Sequence, residues 1–370
     1  MARYRIFGKS VEIKFDEKRH KNLRKELSLY PVTDEEPDVV INIVTELDIP
    51  DDYIRNPKTH WTFSKGFLAD YGHTQVAYLV DNGVLKIFVK EPSKIGLAKR
   101  LLNMEFATAE DMMGQIIHEL VLVPMNYFFP DRFLVHCSAF QSPETKTFLI
   151  GGTGGIGKTS LELFLCREKN FKFVADDMTV VDKTGKVYPN LAFPKIYAYN
   201  VKGKKDITKL LLSERSLSNK IHWYLSLRIR GENRVRRKVS PLKLYGSYLS
   251  TETKASTYFI LIRDKNVTKL VREQIIPELA AELTLRIIQN EYYGFHQHIV
   301  WHEFNARLKK IKPVVRMDET FTNWRKMSVE AFRNMDLYIV RVPERYVHEK
   351  FITDFYTDIL MNPAHLGQEV

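Results

Sequence analysis

A chain of 370 residues, 44% hydrophobic and 27% charged, is long for one hydrophobic core, so two domains, or one with a substantial extension, are expected. The two cysteines, Cys137 and Cys166, are too few for a disulfide framework or a cysteine-built zinc cage, and no apolar leader or run of eighteen apolar residues is present, so the expectation is a cytoplasmic protein with no membrane partner. The net charge of +11 is uneven: residues 201–240 hold twelve Lys or Arg against three Asp or Glu, a composition that suits an anion such as nucleotide phosphates or an acidic peptide and, lacking interleaved aromatics, disfavours nucleic acid.

In chain order, residues 1–105 alternate in short apolar runs ("YRIFG", "VEIKF", "DVVINIV", "TQVAYLV", "GVLKIFV") separated by turn residues, Asp81-Asn82-Gly83 being the strongest hairpin signal. They predict a mainly antiparallel, β-rich accessory or substrate-recognition domain. A helix is expected from Thr108, where "TAED" offers a hydroxyl cap and first-turn acids, with Met112, Met113, Ile116, Ile117, Leu120 and Val121 at helical spacing. After Pro130 the pattern is strand ("RFLVHCSAF"), turn ("SPET"), strand ("TFLIGG"), a glycine loop, a short helix ("KTSLELFLCRE"), strand ("FKFVA"), the acidic pair Asp176-Asp177, and strand ("MTVVD"). Helical signals follow at "PELAAELTLRIIQNEYY" and after Pro343.

The loop at 149–160, "LIGGTGGIGKTS", fits two chemistries. Gly152, Gly157, Lys158 and Thr159 satisfy G-x-x-x-x-G-K-[ST], in which backbone N–H groups of Gly152, Thr153, Gly154, Gly155, Ile156, Gly157, Lys158, Thr159 and Ser160 surround phosphates, Lys158 reaches the β- and γ-phosphates, and the Thr159 hydroxyl binds Mg²⁺. Gly152, Gly154 and Gly157 also satisfy the dinucleotide pattern G-x-G-x-x-G. Gly151, Gly155 and Gly157 have a dehydrogenase-like spacing, with Asp176 as a ribose acid and Tyr346 with Lys350 as a Y-x-x-x-K pair. Lys158 and Thr159 have a task only in the first reading. There, one of the adjacent acids Asp176 and Asp177 can hold Mg²⁺ while the other takes the proton of an attacking hydroxyl, and His136, one strand earlier, can orient that base or share its proton.

"LVHCSAF", "GGTGGIGKTS" and "FVADDMTVVD", in this order and spacing, resemble the catalytic half of the HPr kinase/phosphorylase family, which is akin to phosphoenolpyruvate carboxykinase; the likeness runs over roughly residues 130–200, "GKVYPNLAFPKI" included. The β-rich extension looks more like that of peptide-tailoring kinases. The resemblance implies an α/β mixed-sheet P-loop kinase core over 106–370, with Lys158 on phosphate, Thr159 and Asp176 on the metal, and Asp177 and His136 at the catalytic centre. The reaction implied is Mg²⁺-dependent transfer of the γ-phosphoryl group of ATP to a serine of a protein or peptide, an acidic one fitting the charge. A homo-oligomer is open; a P-loop ATPase or a binding protein without turnover is the alternative, with a dehydrogenase behind it. The family's L-E-x-R-G motif is matched only by "LRIRG", 227–231, with Arg228 in place of the acid. Arg234, Arg236, Arg237 and Arg263 are candidates to neutralise the transferring group.

Overall fold

The computed structural model describes residues 2–92 and 109–361, apart from the side chains of 109–111. The expected boundary between residues 105 and 106 and the cap at Thr108 therefore lie outside the described residues. Within them the chain forms two compact units, neither contiguous: Met1–Pro130, Leu191–Ser240 and Tyr292–Thr322 make the first, and Asp131–Asn190, Pro241–Glu291 and Asn323–Val370 the second.

The first unit is built on an eight-stranded sheet of β1 (Arg3–Ile6), β2 (Lys9–Lys14), β3 (Val39–Val44), β4 (Ile54–Arg55), β5 (His60–Phe63), β6 (Gly66–Asp70), β7 (Gln75–Asp81) and β8 (Val84–Lys90), ordered β1, β2, β3, β8, β7, β6, β5, β4. The β7–β8 hairpin turns on Asn82 and Gly83, with φ of 51° and 80°, the left-handed pair that matches strand twist. The sheet is mixed rather than mainly antiparallel: β3 runs parallel to both β2 and β8. A parallel pair needs a crossover, and the stretch holding the helix Lys21–Leu27 supplies one between β2 and β3.

Alternation along β5 sends Trp61 and Phe63 to one face, where Leu68, Ala77, Leu47 and Ile49 cover them, and His60 and Thr62 to the other. On that second face His60 meets two histidines of the helix Tyr293–Lys309. Its Nδ1 lies 3.2 Å from His298 Nδ1 and its Nε2 3.0 Å from Thr62 Oγ1, while His302 Nε2 accepts from the Val314 amide at 3.1 Å. Burial lowers all three, His60 to about 2 with the neighbouring imidazoles adding to the effect, and His298 and His302 to about 4. They are neutral in the fold and bind protons on unfolding below the ordinary histidine range. The associated stability is complete above roughly pH 6.5 and falls as pH drops toward 4, by about 1.4 kcal/mol per unit for each histidine. Urea titrations of the wild type should show this fall between pH 6.5 and 4.5, and His298→Asn should flatten it in part; an unchanged slope would rule His298 out as a source.

The second unit carries β9 (Arg132–Val135), β10 (Cys137–Gln141), β11 (Thr147–Gly152), β12 (Lys172–Ala175), β13 (Thr179–Asp182) and β14 (Lys186–Tyr188). The chain then returns to the first unit for a two-stranded ladder, β15 (Lys195–Tyr197) with β16 (Arg236–Lys238), before β17 (Thr253–Asp264), β18 (Val271–Gln274) and β19 (Asp336–Pro343) complete the second. Its order is β12, β10, β11, β17, β14, β13, β9, with β19 also pairing β17 and β18 pairing β19; β11–β17 and β17–β19 are parallel and the rest antiparallel. The central strand β11 is buried along its whole length, as its apolar "TFLIGG" requires. Both units are mixed α/β. Pro343 ends β19, and the helix expected after it runs as an α-helix over His348–Asp354 and continues in π-helical form over Phe355–Leu360.

Candidate functional site

β11 delivers the chain to the glycine loop, and the helix Lys158–Glu168 leaves it. Gly157, the residue before the helix, has φ of 108°, and a Cβ there would stand 2.9 Å from the Phe351 ring, so both conformation and space require glycine. Gly154 and Gly155 differ: a Cβ on either would meet nothing within 4 Å, which makes this part of the loop an open cradle. Ile156 is buried and anchors it, whereas Thr153 is exposed. Lys158 is buried, its Nζ donating to Gly152 O at 2.7 Å and Thr153 O at 3.1 Å. Burial lowers its pKa, against the pull of Asp177 and Asp176. Thr159 is half-buried in the first helical turn and Ser160 fully buried.

The expected strand "RFLVHCSAF" is broken at His136. β9 pairs with β13 and β10 with β11 and β12, so the chain passes from one half of the sheet to the other at that residue. The segment from β12 to β13 makes the same passage at Asp176–Met178. Val135 pairs with Thr179 on one side and Ala139 with Ala175 on the other, so the two crossings lie face to face. Ser138 Oγ donates to Asp176 Oδ1 at 3.0 Å, and His136 Nε2 stands 3.9 Å from Asp177 Oδ1. The Cys137–Gly151 pairing sets this crossing beside the start of the loop.

Burial lowers the His136 pKa, Asp177 opposing and Lys158 reinforcing the shift; its Nδ1 is buried with no hydrogen-bond partner among the described residues. Asp176 is raised, first by burial and then by the charge of Asp177. Asp177 sits in the left-handed region, φ 67°, a conformation that short acidic and amide residues tolerate best. Its carboxylate is half-exposed.

All the expected loop, acid and histidine positions thus fall in one unit, with Lys158 electrostatically coupled to both aspartates and to His136. Sequence reasoning missed Ser138 and Glu162. Glu162 is buried in the helix, accepts from the Tyr245 hydroxyl, and is pushed well above the carboxylate range by burial and by Asp176. Its position four residues after Lys158, on the same helical face, was the available signal. Arg236 and Arg237 belong to the first unit, donating to Tyr197 Oη and, at 2.8 Å, to Asn219 Oδ1, and Arg263 donates to Pro343 O at 3.1 Å. Tyr346 donates to Asp354, and Lys350 lies 5.6 Å over its ring.

Among the described residues no helix is long and apolar enough to cross a membrane, and no three His, Cys, Asp or Glu side chains converge as a metal-ligand group. A metal at Thr159 and Asp176 would need phosphate oxygens and water to complete its shell, which is how Mg²⁺ is commonly held.

No family model matches the chain, and no curated protein matches it. Among solved structures, one similar to it is the HPr(Ser) kinase/phosphatase from Coxiella burnetii, at 10% identity over 60% of this chain and 92% of that one, with a TM-score of 0.25. Superposition at that level leaves the chemistry of the site to its own residues.

Proposed function

We propose that the second unit transfers the γ-phosphoryl group of ATP to a hydroxyl, that of a serine on a protein or peptide. The observation that supports this most is the joint placement of an open glycine cradle, a buried lysine at its end, and an acidic pair whose charges that lysine feels. Loop amides and the helix N-terminus would hold the phosphates, and Lys158 would exchange its two loop carbonyls for phosphate oxygens. Thr159 and Asp176 would hold Mg²⁺, which when bound neutralises phosphate charge. Asp177, half-exposed beside the cradle, accepts the proton of the acceptor hydroxyl, and His136 orients it.

Gly154 tests the cradle apart from the fold. Because its Cβ would meet no protein atom, Gly154→Ala should leave the melting temperature unchanged and weaken ATP binding about tenfold, by crowding the phosphates. Unchanged affinity in a calorimetric titration would mean the phosphates lie elsewhere.

The reaction is tested by incubating the full chain with Mg²⁺, γ-labelled ATP and serine-containing acidic peptides. Label in the peptide supports the proposal. Label only in free phosphate makes the protein an ATPase, retained and unturned ATP makes it a binding protein, and binding of NADPH in place of ATP would favour dehydrogenase chemistry.

A further inference from the structure

The helix Leu217–Arg230 of the first unit is inverted relative to an ordinary surface helix. Its inner face is Asn219, Trp223 and Ser226, held by Arg237, whose guanidinium lies 5.2 Å over the Trp223 ring and whose Nε donates to Asn219 Oδ1. Its outer face is apolar: Leu217, Ile221, Tyr224, Leu225 and Ile229 are all between 51% and 79% exposed. Four of these recur every fourth residue, so they form one ridge about 18 Å long at 1.5 Å per residue. An exposed ridge of this kind marks a contact surface, since isolated surface helices turn such residues inward.

The helix contains no acidic residue, and Arg228 is exposed on the same outer face, between Tyr224 and Leu225 on one side and Ile229 on the other. No carboxylate pairs with Arg228 among the described residues. This charge selects the occupant. A second copy would bring one +9 segment, residues 201–240, against another. An anionic bilayer would draw Arg228 below the headgroups along with the apolar side chains around it, whereas membrane-surface helices keep their cations on the opposite face. An acidic amphipathic segment answers both demands, burying the ridge and giving Arg228 a carboxylate.

We infer that the outer face of Leu217–Arg230 docks an acidic amphipathic helix of another polypeptide. The inference does not depend on phosphoryl transfer, because it concerns binding alone.

Fluorescence anisotropy of the full chain with a labelled fourteen-residue peptide of Glu and Leu in amphipathic order tests it, against a scrambled peptide of the same composition. The ordered peptide should bind at least tenfold more tightly than the scrambled one. Arg228→Glu should weaken it about tenfold, and the pair Ile221→Ser with Leu225→Ser should abolish the preference for order; all these positions are exposed, and unchanged melting temperatures confirm folding. The inference is overturned by no binding, by equal binding of the scrambled peptide, or by an Arg228→Glu variant that binds as wild type. It is overturned equally if the ridge residues instead mediate sedimentation with phosphatidylserine vesicles or self-association in ultracentrifugation.

Discussion

Lys158→Ala should lower ATP affinity by about a hundredfold or more and reduce transfer to background. Each charge-assisted hydrogen bond is worth about 1.5–3 kcal/mol, and a lysine that reaches two phosphates supplies two of them along with a formal charge. The buried ammonium now binds the carbonyls of Gly152 and Thr153, so it also holds the two ends of the loop together. Truncation removes both functions. Lys158→Met, which keeps most of the side-chain volume but has no ammonium, loses both as well, so the two are separated by measurement: the melting temperature of the nucleotide-free variants reports the loop, and ATP affinity reports the phosphate contact. Calorimetric ATP titration with label-transfer rates reads the second, and intact affinity in both variants would remove Lys158 from the site.

Asp177→Asn should leave ATP affinity within about threefold of wild type and cut transfer by 10²- to 10⁴-fold, roughly the range contributed by a general base. Asparagine is the informative substitution because residue 177 lies at φ 67°, where alanine would add backbone strain to the loss of the carboxylate. With near-normal affinity and lost turnover, the acid acts on the proton and not on the nucleotide. If turnover survives, the base is another group, and Asp176, already raised by burial and by its neighbour's charge, becomes the next to test.

The parts of the fold and of the site that were legible in the sequence are those set by local chemistry. Asn82-Gly83 had to be a left-handed turn, and Gly157-Lys158-Thr159 had to open a helix, because few backbone conformations suit those residues. What was hidden depends on pairing between distant segments. Nothing in "VEIKF" or "DVVINIV" states that β2 and β3 run parallel. The basic excess of residues 201–240 marks part of the first return of the chain to the first unit, but charge does not say which unit a segment joins, so the interleaving was not legible in the sequence. "RFLVHCSAF" is uniform in strand propensity, and its break at His136 follows from which neighbours each half finds. The bond from Ser138 to Asp176 is a product of that register. Glu162 stands one helical turn after Lys158, but spacing does not distinguish a buried carboxylate on a short helix from a solvated one, and this helix is buried along most of its residues.

The face-to-face crossings of His136 and Asp176–Met178 bear on how errors travel through the unit. Both crossings are clamped by the same two pairings, Val135 with Thr179 and Ala139 with Ala175, so a disturbance in the sheet moves histidine and acids as a block and leaves their mutual spacing intact. Their distance to the glycine cradle is governed separately, by the β10–β11 register that begins at Cys137 and Gly151. The acid–histidine geometry and the distance from the acids to the glycine loop are therefore set by different pairings, and substitutions along β11, which pairs with neither β12 nor β13, bear on the second.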